Sequence, residues 1–409
     1  MSKRKRKAQM NVVTAILLLV LGITVVPNET YGNPTLYYVA LNGNDSNNGT
    51  SLETPFATIN KAVSVVKAGD TIFVRGGTYK LTKTINPTVS GTAAARITLR
   101  NYGSEKVIID GSIVNEGKAG SKVIRMDNIA YWTISKIDVT RSPGMGIGIL
   151  NYANNIRFED LNIYNNGGTG LSIENFSYDN YINGVNSYFN YDEPTGGEHA
   201  DGFAVKAGSV RNTFNRCKAW NNSDDGWDFW GGGQSQITKS EAFRNGLDAF
   251  GNPYPNGDGN GFKLGGHSAG GWSGNNTIRT SVAYDNLANG FDWNNASLKN
   301  MVYNSTAYNN NRGNFSYAYN FRFGNDDIIR NSISAGTGGV RLADTVDHSH
   351  NNWNLGLPDP VFASTTPGTK NFLYLTANSP YIDAGTTVGL SFTGKAPDLG
   401  AFEYGAEWR

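Results

Sequence analysis

The chain has 409 residues, 50 of them glycine, with 12% aromatic and 17% charged side chains and a formal net charge of +1. That composition suits one large, turn-rich β domain and offers no basic surface for a nucleic acid partner. Its single cysteine, Cys217, excludes an internal disulfide, so stability must come from packing and from any bound metal.

Five basic residues, Lys3, Arg4, Lys5, Arg6 and Lys7, open the chain and precede an apolar run from Val12 to Val26. The run is shorter than the roughly 20 residues that span a bilayer, and it reads as a secretory signal cleaved after Gly32, with an uncleaved anchor as the alternative. Without residues 1–32, 30 basic side chains remain against 33 acidic, a net of −3. The expected product, residues 33–409, is a secreted, extracellular, monomeric domain with no membrane contact.

Leu36 to Ala40 alternates like a first strand, and Asn42 to Thr50 reads as a loop. Within it Asp45, Asn47 and Gly49 form an Asx-rich turn rather than a second cation site. Thr54 is the expected N-cap of a helix with Pro55 at its first position, Ile59, Ala62, Val63 and Val66 on one face, and an end near Gly69. Residues 33–75 would then cap the open end of a solenoid, whose free strand edges otherwise template aggregation.

After Thr71–Val74 the chain becomes a series of short strands. Glycines opening an apolar triplet fall at Gly146, Gly170, Gly202, Gly226, Gly261 and Gly290, with Asn314 in the equivalent place next. A turn of about 24 residues, lengthened in places, implies three short strands per coil with loops inserted at one corner. One coil reads directly as Ile156-x-Phe158, Leu161-x-Ile163 and Leu171-x-Ile173. Asn165, Asn190, Asn221, Asn245, Asn286 and Asn309 recur after the second strand, as left-handed turn residues or as a stacked amide ladder. From about Val346 the period is lost, and 346–409 reads as a C-terminal cap. The expected fold is all-β, a parallel β-helix.

Three segments look like one strand written three times: Asp201-Gly202-Phe203, Asp225-Gly226-Trp227-Asp228 and Asn260-Gly261-Phe262-Lys263. On successive rungs about 4.8 Å apart, Asp201 lies over Asp225 and Asp228 over Lys263. Two carboxylates at that separation reach one Ca²⁺, which binds oxygen at about 2.3 to 2.6 Å, and Asp224 adds a further ligand. The insertions Tyr191–Ala200, Gly246–Asp258 and Gly266–Asn276 should wall a groove, with Tyr254 and Trp272 as sugar-stacking platforms. A groove with calcium in it points to an acidic polymer such as a plant cell-wall polyuronate. Breaking it by β-elimination needs stabilisation of charge at C5 and a base, for which Lys263 is placed.

At His199-Ala200-Asp201-Gly202-Phe203, Ser223-Asp224-Asp225-Gly226-Trp227-Asp228 and Gly259-Asn260-Gly261-Phe262-Lys263 the chain resembles the pectate lyases of polysaccharide lyase family 9. The resemblance implies a right-handed parallel β-helix that uses calcium and a lysine base. It puts the family's four aspartate ligands on Asp201, Asp224, Asp225 and Asp228 and its base on Lys263. Some members cleave rhamnogalacturonan, and the motifs do not separate the substrates.

Blander readings stand beside these. Lys263 could sit in a salt-bridged column with Asp228 and Asp292, which would keep it protonated. Asp224 and Asp225 are neighbours that point apart in a regular strand, so both reach one ion only if the chain bends, which Gly226 would allow. His199 and His267 read as loop residues, and Lys206, Arg211, Arg244 and Arg322 as surface charge. Cys217 reads as a buried hydrophobe. An inverting glycoside hydrolase using paired aspartates and a non-catalytic carbohydrate-binding solenoid are the rival functions.

Overall fold

The computed structural model describes residues 33–407 except 118–119 and 270. The basic cluster, the apolar run and the cleavage position after Gly32 lie outside the described residues. No helix among those described is long and apolar enough to cross a membrane.

Three parallel sheets of twelve, ten and nine strands are built from residues 36–349. From Ile97 to Leu342 each coil contributes one strand to each sheet, and the strands pair in parallel, each with its counterpart one coil away. The coil read from the sequence is present as Arg157–Glu159, Asn162–Tyr164 and Leu171–Ile173. Ile156, Phe158, Leu161, Ile163, Leu171 and Ile173 are all fully buried in the interior. Three-residue strands suffice because each backbone group pairs above and below, and each inward side chain stacks on its like. Phe203, Trp227, Phe262, Phe291 and Phe321 form one such interior stack, with centroids 4.6 to 5.0 Å apart. Each contact of this kind adds about 0.5–1.5 kcal/mol beyond burial.

The glycine column is real, but its reason is not backbone freedom. A Cβ at Gly202 would stand 2.7 Å from the Gly226 carbonyl oxygen, one at Gly226 2.5 Å from that of Gly261, and one at Gly261 2.6 Å from that of Gly290. Each glycine is needed because the next rung leaves no room for a side chain. The column continues to Asn320 rather than to Asn314, since Phe291 pairs with Phe321.

The recurring asparagines resolve into two adjacent columns. Asn165, Asn221 and Asn309 are turn residues at φ 51 to 54°, a place that Phe189, Arg244 and Asp285 fill on other coils. The next residue on each coil builds the buried ladder, in which Asn166, Asn190, Asn222, Asn245, Asn286 and Asn310 each pass a side-chain N–H to the following side-chain carbonyl at 2.8 to 3.0 Å, ending on Asn320. Asn190, Asn245 and Asn286 therefore belong to the ladder, and the other three asparagines of the expected set belong to the turn.

At the N-terminal end the helix is Ile59–Val65, and its N-cap is Thr58, which accepts from Lys61 N–H; Thr54 is not the cap. Pro55 and Phe56 instead run beside the first strand, with Phe56 bridged to Val39. Asp45 holds the helix entrance by accepting from Ala57 N–H, Thr58 N–H and the Thr58 hydroxyl at 2.8 to 2.9 Å. Ile59, Ala62, Val63 and Val66 are buried, as the spacing predicts. At the other end Asp347–Ser349 still adds a rung to the first sheet. Trp353, in the short helix Asn352–Leu355, packs on Phe321 at 5.3 Å. The segment that follows lies along the outward face of the second sheet, where Phe372, Leu373, Ala401 and Phe402 cover Val282 and Tyr284.

Candidate active site

The third sheet is the floor of the site. Its strands Phe203–Val205, Trp227–Asp228, Phe262–Lys263 and Phe291–Asp292 pair Ala204 with Asp228, Asp228 with Lys263 and Lys263 with Asp292. Just before these strands runs a polar column. Asp225 N–H meets Asp201 Oδ1 at 3.4 Å, Asn260 donates to Asp225 Oδ1 from its backbone and its amide at 2.8 Å, and Asn289 donates to Asn260 Oδ1 at 2.8 Å. Asn260 thus fixes one oxygen of Asp225 and leaves the other to Lys263.

Carboxylate oxygens of Asp201, Asp225 and Asp228 all lie within 4.8 Å of one another, and a second trio joins Asp224, Asp225 and Asp258. Asp224 therefore flanks the first trio through Asp225. The bend it needs falls in the irregular stretch Asn222–Asp225, and Asp224 Oδ1 accepts from Asp258 N–H at 2.7 Å. Asp258, at the end of the loop 246–258, joins the site without standing out in the sequence; its place two residues before Asn260 is the available signal.

Lys263 Nζ lies 2.9 Å from Asp225 and 2.9 Å from Asp258. The salt bridge weighed for Lys263 exists, with Asp225 and Asp258 rather than with its register partners. Asp292 pairs instead with Arg322 at 3.1 Å. Lys206, read as surface charge, bridges Asp228 at 2.8 Å and Asp201 at 3.1 Å. It lies only five residues after Asp201, but the stacking of the next coil is what brings Asp228 beside it.

Burial pushes Asp201 up to about 6 and Asp225 up to about 8. Burial, with Asp225 beside it, holds Asp224 well above the usual carboxylate range. Burial would raise Asp228 as well, but Lys206 and Lys263 outweigh it and hold that group below its ordinary value. Desolvation favours the neutral amine of Lys263, yet Asp225, Asp228 and Asp258 prevail and raise it well above the ordinary lysine value. Five carboxylates against two ammoniums leave the cluster short of positive charge. Asp225 Oδ2 is buried with the Lys263 ammonium 2.9 Å away, and Asp228 Oδ1 is buried and accepts no hydrogen bond of ordinary geometry among the described residues. An all-oxygen donor set that includes an orphaned buried acceptor, and carries more carboxylates than ammoniums, fits a hard divalent cation.

Around the floor, the loops 191–200 and 246–258 pack together on one side. Asn256 donates to Thr195 O at 2.6 Å, and Tyr191 stacks on Tyr254 at 4.8 Å, so one face of the expected platform Tyr254 is taken. The loop 266–276 leaves the third sheet on its other side and carries the partly buried Trp272. There Trp230, 45% exposed, packs on Gly266 next to the acids and was not foreseen as a platform. His267 lies partly buried in its loop, its Nδ1 3.0 Å from Ser268 O. Cys217 is fully buried, which pushes its thiol up to about 12 and leaves it inert.

Residues 37–332 match the Pel9A-like, right-handed β-helix region. The chain belongs to the Pel9A-like β-helix family. It is 34% identical to pectate lyase L of Dickeya dadantii (strain 3937) over 90% of each chain. The crystal structure of pectate lyase Pel9A superposes with a TM-score of 0.79 at 31% identity, covering 91% of this chain and 97% of that one. A rhamnogalacturonan lyase shares the fold, with a TM-score of 0.72 at 24% identity over 84% of this chain and 97% of the other. Like these Pel9A-like relatives, the chain is a right-handed parallel β-helix and a polysaccharide lyase.

Proposed function

We propose that the chain is an exported lyase, residues 1–32 being its signal and 33–409 its catalytic unit, that cuts pectate or a related pectic polymer by β-elimination with Ca²⁺. The observation that supports this most is the convergence of Asp201, Asp225 and Asp228 within 4.8 Å, with Asp224 alongside and the Lys263 amine 2.9 Å from Asp225. Asp201, Asp224, Asp225 and Asp228 would hold the cation. Bound there, Ca²⁺ would offset the carboxylates that hold the proton on Lys263 and would stabilise charge developing on a uronate carboxylate.

Lys263, once neutral, takes the proton from C5 of the uronate. The electron pair of that C–H bond forms the C4–C5 double bond as the bond from C4 to the glycosidic oxygen breaks; the leaving oxygen takes a proton from water, and Lys263 returns its proton to the solvent. Burial of Lys263 between Asp225 and the groove fixes its amine at one height above the sheet, and the Asn260 amide keeps Asp225 from rotating away. The walls 191–200 and 246–258 restrict the polymer to the line of the sheet.

Purified protein incubated with polygalacturonate or rhamnogalacturonan, with and without Ca²⁺, tests the reading. The expected result is calcium-dependent growth of near-ultraviolet absorbance from unsaturated ends, abolished by a chelator. Reducing ends released without unsaturation, and indifferent to chelator, would transfer the site to hydrolytic chemistry. The polymer that supports turnover identifies the substrate. N-terminal sequencing of protein recovered from the medium tests cleavage after Gly32.

A further inference from the structure

The two lysines of the site stand differently toward the acids. Lys263 lies on Asp225 and Asp258, whereas Lys206 bridges Asp201 and Asp228. Together their ammoniums place two positive charges on the carboxylates, as many as a divalent cation carries. We infer that Lys206 is the internal counter-ion of the site: its ammonium and the divalent cation compete for Asp201 and Asp228, and binding of the cation drives the Lys206 side chain out of the cluster. The inference rests on the calcium reading above and adds to it the residue that sets how tightly the metal is held.

Lys206 enters the cluster from the groove. It follows the inward-facing Val205, so it shares the outward face with Ala204, whose register partner is Asp228. Its side chain is 28% exposed, while those of Asp201 and Asp228 are 0% and 6% exposed. The ammonium therefore has an open path back to solvent that the carboxylates lack. A second anion also stands within its reach. Lys206 N–H bonds to Ile173 O, which sets Glu174 one rung earlier in the same outward column. The Glu174 carboxylate accepts from the Ser172 hydroxyl at 2.6 Å. Rungs are about 4.8 Å apart, a step that a four-carbon side chain spans.

The acids explain why such a counter-ion is kept. Asp201 and Asp228 are buried, and removing the cation in direct contact with a buried carboxylate leaves its charge poorly compensated. In the metal-free chain Lys206 supplies that cation, and the fold of the site does not wait for calcium.

Calorimetric Ca²⁺ titration of the wild type, Lys206→Met and Glu174→Gln, together with acetylation of lysines read by peptide mass spectrometry, tests the inference. Lys206→Met should bind Ca²⁺ at least about tenfold more tightly, because the metal no longer displaces charge-assisted hydrogen bonds. Glu174→Gln should bind it more weakly, and in the wild type Lys206 should acetylate faster once Ca²⁺ is added. If Lys206→Met does not fold without metal, the acetylation rate of the wild type decides alone. A wild type that binds Ca²⁺ with Lys206 equally reactive in both states, and a Lys206→Met that binds no tighter, would overturn the inference and leave the calcium reading standing. If no variant binds Ca²⁺, both fall together.

Discussion

Replacing Lys263 by methionine keeps the length of the side chain and removes only its ammonium, which separates holding the site together from taking a proton. The ammonium contacts Asp225 and Asp258, each at 2.9 Å. The Asp258 side chain is 61% exposed, water replaces its partner, and such contacts are worth about 0–1 kcal/mol. Asp225 is fully buried, and stranding a buried charge costs about 3–5 kcal/mol. Burial already pushes Asp225 up to about 8, so at neutral pH it can take a proton instead of bearing the charge. The stability loss of the metal-free variant should then be about 1–3 kcal/mol, that of a poorly partnered neutral group. Loss of a general base lowers kcat by about 10²–10⁴, equivalent to roughly 3–5 kcal/mol of barrier. KM should change little, because the missing interaction belongs to the transition state. Initial rates from near-ultraviolet absorbance at saturating Ca²⁺, with urea midpoints and calorimetric calcium binding on the same preparations, measure all three. A Lys263→Met protein that binds calcium and keeps most of the wild-type kcat would refute the assignment of the base.

Asn165 and Asn166 are neighbours in different columns, so their alanine variants should diverge in urea unfolding: Asn165→Ala loses only left-handed backbone preference, about 1 kcal/mol. Asn166→Ala strands Ser142 N–H and breaks the link to Asn190, for about 2 kcal/mol or more; equal losses would contradict the two-column assignment. Gly226→Ala should cost about 1–3 kcal/mol by overpacking and reduce activity further, since the new methyl would stand 2.5 Å from Gly261 O between Asp225 and Asp228; a variant as stable as the wild type would show that the rungs can separate. Asp201 and Asp225 have folded values raised to about 6 and about 8, above the unfolded value of about 3.9. Their stabilising contribution is therefore complete at low pH and is lost as pH rises through those values. In chelator the urea midpoint should fall between about pH 4 and pH 8, and the increment from added Ca²⁺ should grow over the same range; an increment independent of pH would mean that the metal does not engage these carboxylates.

Much of the fold is written locally. The inward positions Ile156, Phe158, Leu161, Ile163, Leu171 and Ile173 declare a coil by their spacing alone, and the triplets after Gly202, Gly226 and Gly261 set the register that puts Asp228 beside Lys263. Strand alternation and coil length are short-range properties, and a sequence displays them directly. Where loops of differing length intervene, spacing loses its hold: it points to Asn314 where Asn320 occupies the rung, and to Thr54 where Thr58 provides the cap. The meeting of side-chain tips is less legible still. Asp201, Asp225 and Asp228 share one centre while Asp224 turns to Asp258, Lys206 reaches back across the sheet to two acids, and Asn260 locks one oxygen of Asp225. These are decided by hydrogen bonds between rungs that lie 24 to 35 residues apart, and only the stacked coils bring those atoms within reach.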